Sequence, residues 1–226
     1  MSTPPLEPMP LPEAGPEPSS PEGMGRLPLV VSAIVIELGL ILVAMVWGWL
    51  FEDSWFASFA KLRWNEGEAC LGVALSLPLF AVFLLTQHWP KGPFRYVRQI
   101  SDDILRPMLK PCKWPDVLLF STLAGFCEEL LFRGAIQASL SEWLEPWPAI
   151  LVAGVIFGLA HWLNLTYLIA ATIIGLFLGV VFYWTDSLLV VMVTHGLYDV
   201  WAMLYLLYAP RRDVPLPAPE QDSCTS

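Results

Sequence analysis

Between two polar tails the chain alternates long apolar runs with short polar breaks. Six runs stand out, at residues 28–51, 69–87, 116–139, 148–163, 165–184 and 187–208. A helix needs about 20 apolar residues to cross about 30 Å of hydrocarbon, so the runs read as membrane spans, the fourth a short one. They are too long and continuous for barrel strands, which alternate over about 9 to 11 residues. Only helices and closed barrels satisfy the backbone inside lipid. The pattern therefore predicts an all-α, polytopic transmembrane helical bundle of about six spans, one domain over residues 27–208. Residues 1–26 and 209–226 are rich in Pro, Glu, Gly and Ser, with almost nothing to bury, and are expected to be disordered tails. No basic stretch precedes the first run as it would in a signal peptide. Small residues recur at packing intervals, Gly154 with Gly158, and Ala171, Gly175 and Gly179 in steps of four. Such rows let helix backbones approach closely in lipid.

Composition strengthens the membrane reading. The chain is 56% hydrophobic and 15% charged, with a mean hydropathy of +0.58, whereas soluble domains are about 25% charged. The net charge of -9 is less informative, because Glu7, Glu13, Glu17, Glu22, Asp213, Glu220 and Asp222 all lie in the tails. No basic patch suggests nucleic acid as a partner. Cys70, Cys112, Cys127 and Cys224 have no CxxC spacing, so neither a disulfide framework nor a thiolate zinc site is expected. Cys224 also fails the C-a-a-X pattern, with two residues after it.

Charge also orients the bundle. Loop 88–115 carries Lys91, Arg95, Arg98, Arg106, Lys110 and Lys113, whereas loop 52–68 carries Lys61 and Arg63. Arg26, Arg211 and Arg212 flank the outer ends. With six spans these ends share a side with loop 88–115, and the positive-inside rule predicts both termini in the cytoplasm. Within that loop, residues 95–110 read as an amphipathic stretch lying along the membrane.

The chemistry lies in the residues that break the apolar pattern. Glu37, Glu128, Glu129, Arg133, His161, His195 and Asp199 all fall inside the runs. Each ionisable group at bilayer depth costs several kcal/mol, about 2.5 to 3.5 on insertion scales, so such residues need partners and a reason. Arg133 follows Glu129 by four residues, which puts the two on one helix face as a pair, and this leaves Glu128 free to face a cavity. His195 and Asp199, also four apart, share a face, where the carboxylate can orient the imidazole or both can hold one water or metal ion. His161 taken alone is an interfacial residue or a ligand. Together, the two histidines, the carboxylates and the arginine form a hydrolytic kit. A carboxylate in an apolar site can take a proton from water, and histidines can hold that water or a developing oxyanion.

Three motifs carry a resemblance. Cys127 to Gly134 (CEELLFRG) resembles the E-E-x-x-x-R motif of the CPBP family of intramembrane proteases (CAAX protease and bacteriocin-processing, or Abi). Phe157 to His161 resembles its F-x-x-x-H motif, and His195 to Asp199 its H-x-x-x-[N/D] motif. The resemblance covers about residues 115–208. It implies an intramembrane endopeptidase acting on a membrane-associated protein or peptide, with Glu128 as catalytic glutamate and His161 helping it activate water. His195 and Asp199 would form the oxyanion side, supported by Glu129 and Arg133. The prenyl-protein branch has Asn where this chain has Asp199, and an ionised Asp would repel an oxyanion. Such an Asp has to be protonated, paired with His195 or bound to metal.

Two forms of the chemistry stay open. In one, Glu128, His161 and His195 hold zinc. In the favoured one, a glutamate-activated water needs no cofactor. Either way a shared site requires the turn at Asn164 to be sunk in the membrane and His161 to lie within about 8 Å of Glu128. The alternative function is a non-catalytic membrane protein of the same fold, a bacteriocin self-immunity or scaffold protein. A proton-coupled transporter is less consistent with charges gathered in one place. Glu37 has no evident partner in the sequence.

Overall fold

The computed structural model describes residues 25–89 and 91–211. The disorder expected of residues 1–24 and 212–226, and Cys224, fall outside them. Among the described residues every regular element is helical. Helix α1 is Arg26–Glu52, and a 3₁₀ turn, Ala57–Phe59, leads to α2, Glu66–His88. The amphipathic stretch forms α3, residues 94–109, with a π-helical turn at Ser101–Leu105. Helix α4, residues 114–143, is continuous but π-helical over Ala124–Glu128 and Leu130–Gln137. Then come α5, Pro146–Ala160, α6, Leu165–Thr185, and α7, Leu188–Tyr208.

Helices α1, α2, α6 and α7 are each long and apolar enough to cross a membrane. The third and fourth predicted spans differ from these. Helix α5 is apolar but has 15 residues, and α4 widens through its two π segments. A π turn closes i→i+5 hydrogen bonds and re-aims the side chains that follow, frequently at functional sites. Here it falls on the segment holding Glu128, Glu129 and Arg133.

Local chemistry sets the helix boundaries. The side chains of Asn65, Asn164 and Ser187 accept hydrogen bonds from the backbone N–H groups of Glu68, Tyr167 and Val190. Each thereby satisfies a donor that a helix start leaves open. Helices α1 and α6 stop at Asp53 and Asp186, both left-handed, with φ of 52° and 50°.

The two ends of the bundle differ in character. At one end the Arg26 guanidinium forks onto Asp116 at 2.8 and 2.7 Å, tying the start of α1 to that of α4. Arg26 is thus the first residue of α1 rather than the last of a tail. Arg98 donates to the Gln87 carbonyl at 3.1 Å, and Arg106 to the Leu206 and Ala209 carbonyls at 2.6 and 2.7 Å. Two arginines of loop 88–115 therefore cap the carbonyl ends of α2 and α7, where cations are favoured. Arg211 pairs with Asp103. At the opposite end Lys61 pairs with Asp186, and Ser139 donates to Glu52. Trp49, Trp55, Trp64, Trp143, Trp147 and Trp184 are exposed there, the aromatic character of a membrane–water interface.

The core brings α4, α5, α6 and α7 together, with Leu130, Leu178, Leu188, Val190 and Val191 fully enclosed. Helix α7 is the central one of the four long helices: half of its most apolar window is buried, against 6% for α1. Small residues set the spacing. A Cβ at Gly125 would sit 2.7 Å from the Met192 carbonyl and 2.8 Å from Gly196 Cα, so α4 and α7 touch backbone to backbone. One at Gly154 would meet Leu176 of α6 at 2.8 Å, in keeping with the packing role expected of that row. Helix α3 lies over the α5–α6 turn and encloses a cavity of about 220 Å³ with Asn164 and Thr166.

Candidate active site

On α4, Glu129, Arg133 and Gln137 stand in steps of four. Arg133 donates from Nη1 to Glu129 Oε1 at 2.8 Å and from Nη2 to the Gly175 carbonyl at 2.7 Å. One turn on, Gln137 donates to the Gly179 carbonyl at 2.9 Å. The small-residue row of α6 thus does more than let backbones approach, because its bare carbonyls accept the polar ladder of α4. The Glu129 and Arg133 side chains are 0% and 1% exposed. Glu129 Oε2 and Arg133 Nε have no hydrogen-bond partner among the described residues, but each charge keeps the other as its counter-ion, and breaking the pair would leave a buried charge uncompensated.

Glu129 Oε1 also takes a hydrogen bond from His195 Nδ1, at 2.8 Å. Since Arg133 stays charged, Glu129 is an acceptor, and the His195 proton must sit on Nδ1. That leaves Nε2 pointing toward Asp199, whose Oδ2 is 3.5 Å away. The Gly125–Gly196 contact makes this geometry reachable. Gly125 lies four residues before Glu129, and Gly196 directly follows His195. The expected His195–Asp199 association is present, but the shorter bond of His195 runs to Glu129, a contact between helices that spacing along one helix cannot show.

Glu128 faces the other way. Its Oε2 is 3.5 Å from His161 Nε2 and has no hydrogen-bond partner among the described residues. His161 closes the C-terminus of α5, where its Nδ1 donates to the Phe157 carbonyl at 2.8 Å. A carbonyl can only accept, so Nε2 is the nitrogen presented to Glu128. The 8 Å limit on a shared site is met with room to spare. The α5–α6 turn therefore lies level with Glu128, about 20 Å along α4 from Trp114 at 1.5 Å per residue. His161 is 26% exposed, against 5% for His195.

Phe157 joins the two halves. Its ring lies 4.4 Å from that of His161 and 5.8 Å from that of His195, with the Arg133 guanidinium 4.8 Å from its centroid. It therefore positions three of the polar side chains at once, partly through cation–π attraction. As one apolar residue among many, Phe157 was visible in sequence solely as the first letter of its motif. Gly125, Gly196 and Gln137 were not singled out. Their signal was a small or amide residue one turn from, or beside, each charged one.

Glu37 joins the group from α1, which packs against the π turn ending at Glu128. The charges that act on it are those of Glu128, His195, Asp199 and His161. Zinc would need three donors converging on one point. Among the described residues no group of three His, Cys, Asp or Glu side chains is so arranged. His195 Nδ1 is turned to Glu129 and His161 Nδ1 to the Phe157 carbonyl, which leaves Nε2 of each histidine toward the site, the nitrogen that would meet a metal ion if Glu128, His161 and His195 held one. No step below passes through a metal.

Residues 110–201 match the family model described as Rce1-like, type II CAAX prenyl endopeptidase. The matched segment holds Glu128, Glu129, Arg133, His161, His195 and Asp199 and bears out the resemblance carried by the three motifs. The chain is also similar to the uncharacterized protein YpbD of Bacillus subtilis (strain 168), 32% identical over 103 residues, covering 44% of this chain and 50% of that one. The chain thus spans about half the length of the curated relative it matches. No solved structure matches it.

Proposed function

We propose that the chain is an intramembrane endopeptidase that hydrolyses a peptide bond in a membrane-associated protein or peptide. The observation carrying this reading is the approach of the enclosed Glu128 Oε2 to Nε2 of the part-exposed His161 at 3.5 Å, beside a second carboxylate already committed to Arg133 and His195. Two groups so spaced can hold one water between them. Its hydrogens go to the Glu128 carboxylate and the His161 Nε2 lone pair, and a lone pair is left for the substrate carbonyl.

As the water oxygen bonds to that carbonyl carbon, Glu128 takes the proton and the carbonyl oxygen becomes the oxyanion. His195 and Asp199 stand on the oxyanion side. A proton carried by either Nε2 or Oδ2, which lie 3.5 Å apart, removes the repulsion that an ionised Asp199 would exert, and supplies a donor instead. The proton on Glu128 then passes to the amide nitrogen as the C–N bond breaks, releasing a carboxylic acid and an amine. Glu129 and Arg133 touch none of the reacting atoms and hold His195 in its tautomer.

The bundle crosses the membrane about six times in this reading, with both termini on the cytoplasmic side. The arginine-rich end and the tryptophan-rich end support that orientation. The name of the matched family makes a peptide with a prenylated cysteine near its C-terminus the first substrate to try. The test is cleavage by the full chain in lipid nanodiscs, against prenylated peptides and a library of membrane-tethered peptides, with Glu128→Ala alongside. Cleavage by the wild type alone is expected. Equal cleavage by both, or by neither, would overturn the reading and favour a non-catalytic immunity or scaffold protein of the same fold.

A further inference from the structure

Glu37 lies outside the matched segment 110–201, and none of the three motifs includes it. It nevertheless sits eleven residues into α1, against the π turn of α4, with Oε2 enclosed and without a hydrogen-bond partner among the described residues. Most buried polar groups in folded proteins are paired, so an orphan here needs an explanation. The titratable groups near enough for their charges to act on it are Glu128 and Cys127 from α4, His195 and Asp199 from α7, and His161 from the end of α5.

Counting charge narrows what Glu37 can be. The site gathers four carboxyls, Glu37, Glu128, Glu129 and Asp199, around a single permanent cation, Arg133, and two imidazoles. Even with both histidines charged, one carboxyl is left without a cation, and an uncompensated carboxylate in low dielectric takes up a proton. The contacts assign the cations elsewhere. Arg133 and His195 bond to Glu129 and His195 also approaches Asp199, while His161, with its Nε2 lone pair free for the water, gives Glu128 a neighbour but no charge. Glu37 contacts no base. A carboxyl that keeps its proton is an O–H donor, and it faces groups that at that spot are acceptors.

We propose that Glu37 is the fourth carboxyl of the site and a positioning residue, donating its O–H to the water that Glu128 and His161 hold. The geometry of water suits this arrangement. Its two hydrogens go to Glu128 and His161, one lone pair accepts from Glu37, and the other points at the substrate. Glu37 does not release its proton. It removes the freedom of the water to rotate about the Glu128–His161 axis, and rests on the hydrolytic reading above for that role.

The test compares Glu37→Gln, which keeps a neutral donor, with Glu37→Leu, which keeps neither donor nor polarity. Expected are a Gln variant within about threefold of wild type and a Leu variant down about 10²-fold in kcat, the scale of losing one aimed donor, with KM unchanged. A Leu variant as active as wild type would reduce Glu37 to lining. A Gln variant as impaired as Leu would mean an ionised carboxylate. Either result overturns the proposal. Infrared difference spectroscopy of the full chain in nanodiscs supplies a readout that needs no substrate and no Leu variant. The carbonyl band of a protonated carboxyl should be present in wild type and lost in Glu37→Gln, and its persistence would overturn the proposal even if the chain cleaves peptides. If no peptide is cleaved but the band is lost, the hydrolytic reading fails while the proton-bearing Glu37 stands.

Discussion

The two adjacent glutamates of α4 live in opposite environments. Glu129 is sealed, bonded at 2.8 Å to both Arg133 and His195. Glu128, one residue earlier, sits 3.5 Å from a quarter-exposed His161. Each half keeps unpaired atoms, Glu129 Oε2 and Arg133 Nε in the one and Glu128 Oε2 in the other, but in the second half the neighbouring His161 reaches solvent. The short bonds from Arg133 and His195 converge on Glu129 Oε1 and fix it between α4 and α7, so the first half can hold the second in place in the proposed reaction. The difference teaches that two neighbouring carboxylates can be told apart by their partners, a short buried ion pair for Glu129 and a longer contact to a part-exposed histidine for Glu128.

The sharpest way to break the comparison is to remove each glutamate's function separately. Glu128→Gln should lower kcat by about 10²- to 10⁴-fold, the usual worth of a general base, and change stability by under about 1 kcal/mol in denaturant unfolding. A large loss of stability would mean that Glu128 belongs to the scaffold after all. Arg133→Met does the reverse. It leaves Glu129 buried without its cation and should cost about 3 to 5 kcal/mol of stability, read by unfolding in detergent. A stable Arg133→Met protein would show that the sealed half is not a support.

Gly125→Leu probes the joint between the halves. Its side chain meets the Met192 carbonyl and Gly196, and overpacking of this kind costs about 1 to 3 kcal/mol. It should separate Glu129 from His195 and lower kcat more than it raises KM. Unchanged kinetics would mean that the close approach of α4 and α7 does not matter for the site. The smallest effect is expected from Asp199→Asn, which can still donate to and accept from its surroundings. Activity within about tenfold of wild type fits a proton carried by either His195 or Asp199. A complete loss would require an ionised Asp199.

Much of the fold was legible because lipid imposes a simple rule. Runs of about 20 apolar residues became α1, α2, α6 and α7 almost residue for residue, since the backbone has no other way to satisfy itself in hydrocarbon. Where polar residues break the run the reading was less accurate. Helix α4 spans the expected segment but is π-helical through Gln137, and hydropathy carries no information about which carbonyl an N–H selects. The site showed the same division. The Glu129–Arg133 pair follows from i,i+4 spacing alone. The Glu129–His195 bond links residues 66 apart and depends on two glycines in contact between helices.

By itself, then, the sequence determined which residues had to be brought together. Seven ionisable groups in an apolar chain cannot face lipid, so they had to gather, and their motifs carried the family resemblance. The tertiary structure alone decided how they were shared out. It matched Arg133 and Gln137 to the carbonyls of Gly175 and Gly179, sank the α5–α6 turn to the level of Glu128, and packed α1, which carries the unassigned Glu37, against the π turn of α4. These outcomes depend on helix approach and side-chain direction, which are properties of three-dimensional packing and are not encoded in the spacing of any one helix.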